Sequence, residues 1–580
     1  MAVCGEITRP QWMLTTRARG CDGSAAWWWR LTATRQISYS AIPEKGGRSQ
    51  RRSGSFRQLG RWLGSTITNR KRSILSRPVH SQLPHIVPTT SIVTDKVSCG
   101  PGMSKQTMDR TKNEDVMESA QGTRLDGNIG RFQLFALGFG SIIGSAWIVI
   151  LSQWLATGGP GGAILGFIAG GSVMIAIATC YAELTIRVPR AGGEYVYALQ
   201  AFGRPAAFLV GWFVILAWIS VAVFEGLALS RFAQMIVPNL SDHMLYRAFG
   251  RDVGLLQISM GAFACLIIAA VNYSGSASAV RFQSIITYGF IAIVLSLFAW
   301  LLVHGSAGHL APFFPSDIKS TWYFGALNIF VGCAFFLNGF QAIAQVVEER
   351  SGQVPLRRLA GTMVLSVALA ALFYCICIIA VSGAAPWRSS ARSDMAIVAA
   401  LNAHPFGRLL SMVVLITATA SLLKSWNGVF VMLTRVIIAL AREAMLPSSL
   451  AVTTNGVPRR AILIATLINL AGLFLGSGAI GAMAEMSASC IVLCFFASSL
   501  ALLTLRSRDP EVGLVARSPA KRLLPLAIAG SLTMAVAAFL APIRTGTVIP
   551  FYPLLVGWIL LGSFVYRKYA MRGRITPSVT

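Results

Sequence analysis

Two short stretches carry the residues best placed to do chemistry inside an apolar chain. The first, "GFGSIIGSAWIV" (Gly138 to Val149), sets Gly140, Ser141, Gly144 and Ser145 in an otherwise apolar run from Phe132 to Leu155. The second, "CAFFLNGFQAIAQVVEER", places Asn338, Gly339 and Gln341 beneath Phe335 and Phe336. Glycine and serine permit non-helical backbone, and a helix interrupted in lipid survives only where the break is buried in protein or lines a watery cavity. At such a break the N–H groups that start the second half-helix suit a carboxylate, and the carbonyls that end the first half suit an amine or a cation. An amino acid carries both groups. The competing explanation for each stretch is close helix packing through small residues.

Charged residues at membrane depth are the second source of chemistry, because each costs several kcal/mol unless it is paired or hydrated. Three stand out: Glu225 in "VAVFEGLAL", Lys424 in "SLLKSWNG" and Glu485. Glu225 and Lys424 fall on the third and eighth apolar runs, so an ion pair between them across a cavity is one expectation; separate packing against water or carbonyls is the other. Glu485 falls near the end of its run and reads as a rim residue. All six histidines (His80, His85, His243, His304, His309 and His404) lie in the N-terminal region, in loops or at helix ends. The ten cysteines lack the paired spacing of a zinc site or a disulfide framework. No metal centre, cofactor motif or phosphate-binding loop of the Gly-rich lysine type is expected, which argues against a membrane enzyme.

These residues have to be positioned by membrane helices. The chain of 580 residues is 54% hydrophobic and 12% charged, with a mean hydropathy of +0.62. A hydrocarbon core about 30 Å thick needs roughly 20 apolar residues at about 1.5 Å each, and about twelve such runs follow residue 130. They cover residues 132–156, 161–185, 206–235, 254–274, 282–304, 322–346, 359–382, 407–440, 460–477, 480–505, 522–541 and 549–566. The two polar-interrupted stretches fall in the first and sixth runs, five helices apart, which is the mark of a five-plus-five inverted repeat with its site between the halves.

The net charge of +28 does not point to nucleic acid. Residues 1–100 hold sixteen Lys or Arg against four acids, and most of the rest alternate from loop to loop. Arg187, Arg190, Arg204, Arg281, Arg350, Arg357, Arg459, Arg506 and Arg567 share one side with the C-terminus, while the opposite loops carry few. By the positive-inside rule both termini are cytoplasmic. The first 120 residues, with "WWWR" and "SQRRSGSFR", show no apolar periodicity and read as a disordered basic extension or as sequence upstream of a later start at Met103, Met108 or Met117.

In chain order, "GFGSIIGSAW", "YAELTIRVPRAGGEYVYALQAFG", "FFLNGFQAIAQVVEER" and "LTRVIIALAREAMLP" resemble the amino acid-polyamine-organocation permease superfamily. The likeness covers residues 130–510 in motif, and it places the Pro-x-Ala-Gly-Gly loop on the cytoplasmic side, in agreement with the charge pattern. It implies that the amides of Ser145, Ala146 and Trp147 receive a substrate carboxylate beside Gly144, and that the carbonyls of Ile142 and Ile143 receive its amine. Phe335 takes the place of an aromatic lid, with Asn338, Gly339 and Gln341 on the facing break. Two departures bear on the substrate. Relatives commonly have Gly-Ile-Phe where this chain has Ala146, Trp147 and Ile148, so Trp147 is expected to narrow the pocket. They commonly have Gly-Phe-Glu where this chain has Gly339, Phe340 and Gln341, which removes an acid. In sodium-coupled members of this fold a cation lies between the first and eighth helices. Lys424 would put its ammonium there and exchange a proton as its surroundings change from dry to wet, unless it points away and Thr417, Thr419 and Ser421 bind sodium instead.

The expectation is therefore an all-α polytopic membrane protein. An extension over residues 1–125 precedes a first repeat (126–305), a second, inverted repeat (306–508) and two C-terminal helices (509–580). It would be a secondary transporter in the plasma membrane, moving an amino acid or related amine by alternating access with proton coupling or exchange. Its partners would be that small molecule, a coupling proton and lipid, with no nucleic acid and no cofactor. Glu225 and Lys424 would serve coupling. A non-transporting nutrient sensor and a carrier of another solute such as a nucleobase are the alternatives.

Overall fold

The computed structural model describes residues 128–144, 146–236, 243–315, 322–509 and 518–571. The expected N-terminal extension, its three candidate start methionines and Ser145 lie outside these residues. Within them the chain is almost wholly helical, as lipid requires of a backbone that must satisfy its own hydrogen bonds. Ten helical stretches, from Arg131–Val149 to Ala520–Ile543, are long and apolar enough to cross a membrane. Two further apolar helices of 15 and 18 residues, Arg459–Leu473 and Val548–Val565, fall where the ninth and twelfth runs were expected.

The first run is broken where its glycines and serines lie. Helix α1 (Arg131–Ile142) ends at Ile143, whose backbone is extended (φ −88°, ψ 92°), and α2 (Ala146–Val149) resumes beyond it. Helix α3 (Leu151–Arg187) counts 37 residues, about 55 Å of helix and nearly twice a hydrocarbon core. It contains non-helical Gly159 (φ 62°) followed by Pro160, so residues 151–158 belong with the first crossing and the remainder with the second. Next come α4 (Glu194–Phe202), a buried loop helix, and α5 (Arg204–Ile236).

A two-stranded hairpin, β1 (Met244–Ala248) and β2 (Arg251–Gly254), is an addition that the apolar periodicity did not reveal. Its two turn residues, Phe249 and Gly250, both have positive φ (49° and 77°), the backbone twist that tight hairpins need. Helices α6 (Leu255–Tyr273) and α7 (Ser276–His304) follow.

The sixth run is broken too. Helix α8 (Trp322–Phe336) stops, and after three non-helical residues and Phe340 the short α9 (Gln341–Gln345) begins. The remaining helices are α10 (Leu356–Ala384), α11 (Trp387–Ala391), α12 (Ala396–Asn402), α13 (Gly407–Arg442), α14 (Arg459–Leu473), α15 (Ile480–Arg508), α16 (Ala520–Thr545) and α17 (Val548–Val565). Helix α13 packs on α1, α5 and α7, and α10 packs on α1 and α3, so both broken runs are enclosed by continuous helices.

One end of the bundle is closed by polar contacts. Ile129 N–H donates to the Glu349 carbonyl (3.0 Å) and Ser351 N–H to the Ile129 carbonyl (3.0 Å), tying the start of α1 to the chain beyond α9. Glu349 is fully buried and accepts Arg435 from α13 through both oxygens (2.8 and 2.9 Å), while the same guanidinium reaches Thr434 and Ser276. Removing one partner of such a buried pair leaves an uncompensated charge and costs about 3–5 kcal/mol. Glu349→Ala is therefore expected to lower the apparent melting temperature of the purified protein by several degrees; a curve that overlays the wild type would show that the pair does not hold this end.

Candidate functional site

The two breaks meet backbone to backbone. Gly339 has φ 124°, and a Cβ built on it would lie 2.6 Å from the Ser141 carbonyl carbon and 2.7 Å from the Ile142 nitrogen. No side chain fits there, so glycine is required by both conformation and space. The side chain of Gln341 folds back on its own break: its Oε1 accepts the Gly339 N–H at 2.8 Å.

Beside the breaks lies a small cavity of about 30 Å³. Ser141, Ile142 and Gly144 contribute from the first break, and Phe335, Phe336, Asn338 and Gly339 from the second. Trp218, Val221, Phe224 and Glu225 line it from α5, Tyr374 from α10, and Ser425 and Val429 from α13. Phe335 stacks edge-on against Phe224 (centroids 5.6 Å apart), which closes one wall. Three buried polar atoms on the lining residues have no hydrogen-bond partner among the described residues: Asn338 Oδ1, the Tyr374 hydroxyl and Trp218 Nε1. One is an acceptor, one a donor, and the hydroxyl serves either way. A ligand with both kinds of polar group would complete them. Glu225 accepts a hydrogen bond from the Ser425 hydroxyl.

Lys424 is fully buried and turned toward the first break. Its ammonium donates to the carbonyl of Gly140 (2.9 Å) and to that of Ile143, and it lies 4.6 Å from the centre of the Phe290 ring. Two carbonyl acceptors and an aromatic face thus surround the charge. The Ser421 hydroxyl reaches the Ile143 and Gly144 carbonyls (3.1 and 2.9 Å) from the same helix. The carbonyls left free where α1 ends are therefore filled from α13 by an ammonium and a hydroxyl. Thr417 and Thr419 turn instead to their own helix, donating to Val413 and Leu415.

Several expectations need correction. Trp147 does not narrow the cavity: it is fully buried among Phe290, Phe298 and Phe373, where it supports the ring that covers Lys424. A large aromatic at the start of α2 finds apolar partners on α7 and α10, away from the ligand side. The Ile143 carbonyl, expected to take an amine from the ligand, already takes Lys424 and Ser421. Gln341 serves the break and is absent from the cavity wall. Of the two arrangements open for Glu225 and Lys424, the first accepts from the Ser425 hydroxyl and the second donates to backbone carbonyls, and the two interact electrostatically. Ala146 opens α2, and Ser145 is outside the described residues. Glu485 accepts from Thr547, near the end of the bundle.

Sequence reasoning missed Trp218, Val221, Phe224, Tyr374, Ser425 and Val429. Two signals would have found half of them. Trp218 and Val221 lie seven and four residues before Glu225, on the same helix face, and Ser425 follows Lys424 directly. Tyr374 carried no signal that separates it from a packing aromatic.

A cavity between two interrupted membrane helices, enclosed by continuous ones, is the arrangement of a substrate site in membrane carriers. A profile of the amino acid permease family matches residues 129–561. The chain belongs to that family, within the amino acid-polyamine-organocation superfamily, and is a multi-pass membrane transporter and not an enzyme. It is 24% identical to the methylthioribose transporter of Bacillus subtilis (strain 168), over 79% of this chain and 96% of the relative. A branched-chain amino acid permease of the same organism is also 24% identical, with the same coverage. The chloroplastic cationic amino acid transporter 9 of Arabidopsis thaliana is 28% identical over 58% of this chain and 59% of its own.

Proposed function

We propose that the protein is a secondary active transporter that carries an amino acid or related amine by alternating access, without sodium. The observation that carries this reading is the ammonium of Lys424 seated on the carbonyls that end α1, where a coupling cation would otherwise lie. The substrate amine is assigned to Asn338 Oδ1 and Glu225, and its carboxylate to the amides that open the second half of the first run, with Trp218 Nε1 and Tyr374 as further donors. Ile142, Gly144, Phe335 and Gly339 shape the site around it. A cavity of about 30 Å³ is an order of magnitude smaller than ordinary ligand pockets of about 300–1,000 Å³. Binding therefore requires Phe335 and Phe336 to swing aside, and their return occludes the substrate. The two broken runs act as equivalent parts of a five-plus-five inverted repeat (126–305 and 306–508), followed by two further helices, in a plasma membrane with both termini cytoplasmic.

With Glu225 assigned to the amine, the substrate side chain faces an apolar, aromatic wall. The relatives bear names that range from branched-chain and cationic amino acids to methylthioribose, so a substrate outside the amino acids is the second reading. A thermal-shift screen of the purified protein against amino acids, amines and a thio-sugar separates the two, because a ligand that binds only the folded state raises its apparent stability.

Uptake into proteoliposomes tests the coupling. A lysine ammonium a few ångströms from a sodium ion repels it by about 4 kcal/mol at an effective dielectric near 20, enough to suppress binding about a thousandfold. Exchanging sodium for choline is expected to leave the initial rate unchanged. Strict sodium dependence of the wild type would overturn the assignment of Lys424.

A further inference from the structure

Glu194 opens α4, in the loop between two membrane crossings, yet it is wholly buried. Its Oε1 accepts from the Tyr181 hydroxyl of α3 (3.3 Å), which itself accepts from Ser498 of α15 (3.1 Å). Its Oε2 accepts from the side-chain amide of Gln345 (2.8 Å), the last residue of α9. One carboxyl therefore joins the loop helix to the second half of the broken sixth run.

Among the described residues no cation is bonded to it. The arginines on the surrounding elements are paired with other acids: Arg187 and Arg506 with Glu183, Arg435 with Glu349, Arg442 with Glu348, and Arg190 and Arg204 with Glu443. Arg508 donates to the carbonyls of Gln200 and Ala201 at the other end of α4. The other titratable groups that sense Glu194 are Tyr181, Tyr197 and Cys494, all uncharged at neutral pH. The amide of Gln345 adds a second clue, because its Oε1 is buried with no hydrogen-bond partner among the described residues. A carboxylate beside it offers only acceptors, whereas a carboxylic acid has an O–H to give. A single proton on Glu194 would remove an uncompensated buried charge and supply the donor that Gln345 lacks.

We propose that Glu194 and Gln345 form a proton-binding latch: protonated Glu194 holds α4 against α9 and keeps this end of the carrier closed, and loss of the proton releases it. Burial, opposed by the hydrogen bonds from backbone, Tyr181 and Gln345, pushes the Glu194 carboxyl from 4.5 up to about 7. Opening the latch hydrates the group and returns it toward 4.5. A raised value in the closed form means that closure is fully favoured below 4.5, weakens by about tenfold per pH unit as pH rises toward 7, and is constant above that. The proton site stands on local geometry; only its role in transport rests on the carrier reading above.

Hydrogen–deuterium exchange of the full-length protein in nanodiscs tests this, followed on peptides covering residues 189–203 and corrected for the intrinsic pH dependence of amide exchange. Protection of this segment in the wild type is expected to fall by about 40-fold between pH 5 and pH 7, by about twofold more up to pH 8, and then to level off. Glu194→Gln, which cannot ionise, should keep at pH 8 the protection that the wild type shows at pH 5. Gln345→Leu, which cannot accept the carboxyl proton, should lose at least about tenfold in protection at pH 5. Wild-type protection that does not vary with pH, a Glu194→Gln profile that follows the wild type, or an unchanged Gln345→Leu protein would each overturn the latch. A pH-independent segment in a protein that transports amino acids would leave the carrier reading intact, and a pH-dependent segment in a protein that transports none would leave the latch intact.

Discussion

Gly144→Leu is expected to insert and fold like the wild type and to bind no substrate. A Cβ at this position would lie 2.9 Å from Glu225 Oε1 and 3.1 Å from Ser425 Oγ, closer than ordinary contacts, and the rest of a leucine would fill a cavity of about 30 Å³. The side chain would cover the carboxyl assigned to the amine and keep a ligand from the backbone of the break. The loss of affinity should exceed 100-fold, which corresponds to about 3 kcal/mol. A thermal-shift titration measures it: the ligand that stabilises the wild type should leave the melting curve of Gly144→Leu unmoved. Equal affinity in the two proteins would mean that the cavity beside the breaks is not the binding site.

The second large effect is expected of Lys424→Ala. Removing the ammonium leaves the Gly140 and Ile143 carbonyls without that donor in a buried place, at about 1–3 kcal/mol each. That penalty falls on the conformation in which α13 holds the end of α1, so its population and the rate of uptake should drop by about 100-fold. The loss has a specific remedy. With the ammonium gone, the Gly140, Ile143 and Gly144 carbonyls and the Ser421 hydroxyl form an oxygen cup open to a small cation, so sodium should restore part of the uptake and choline none. Normal transport by Lys424→Ala would show that the lysine is only a packing residue. A loss that sodium does not relieve would show that the cup does not act as a cation site.

The two predictions differ in how far they were visible in the chain. That this is a helical membrane protein followed from hydropathy, because lipid leaves a spanning backbone no other partner for its polar groups. The two breaks followed from Gly140, Ser141, Gly144, Asn338 and Gly339, since such residues weaken a helix and would not persist in lipid without a use. Lys424 and Glu225 drew attention for the cost of burying a charge. Composition and periodicity carry information of this kind because each residue reports on its own tolerance of water, lipid or helical backbone.

What the chain alone did not determine is which group meets which. Trp147 was read as facing the ligand, yet it packs behind Phe290, because the rotation of α2 about its axis is set by aromatic partners on α7 and α10. Gln341 was read as a substrate-binding residue in place of an acid, yet it satisfies the Gly339 amide. The Ile143 carbonyl was open in sequence and is taken by a side chain from residue 424. Glu194 is the clearest case. In sequence it lies in a polar loop with "VPRAGGEY", where a carboxylate would be hydrated, and only the docking of α4 beneath α9 and α15 strips away that water and sets Gln345 against it. The sequence by itself determined the membrane helices, their breaks and the charges that needed a reason, because these depend on local propensity and solvation. The tertiary structure decided the partners of those groups, because a hydrogen bond between residues 150 or 280 apart depends on helix rotation and register, which no local pattern encodes.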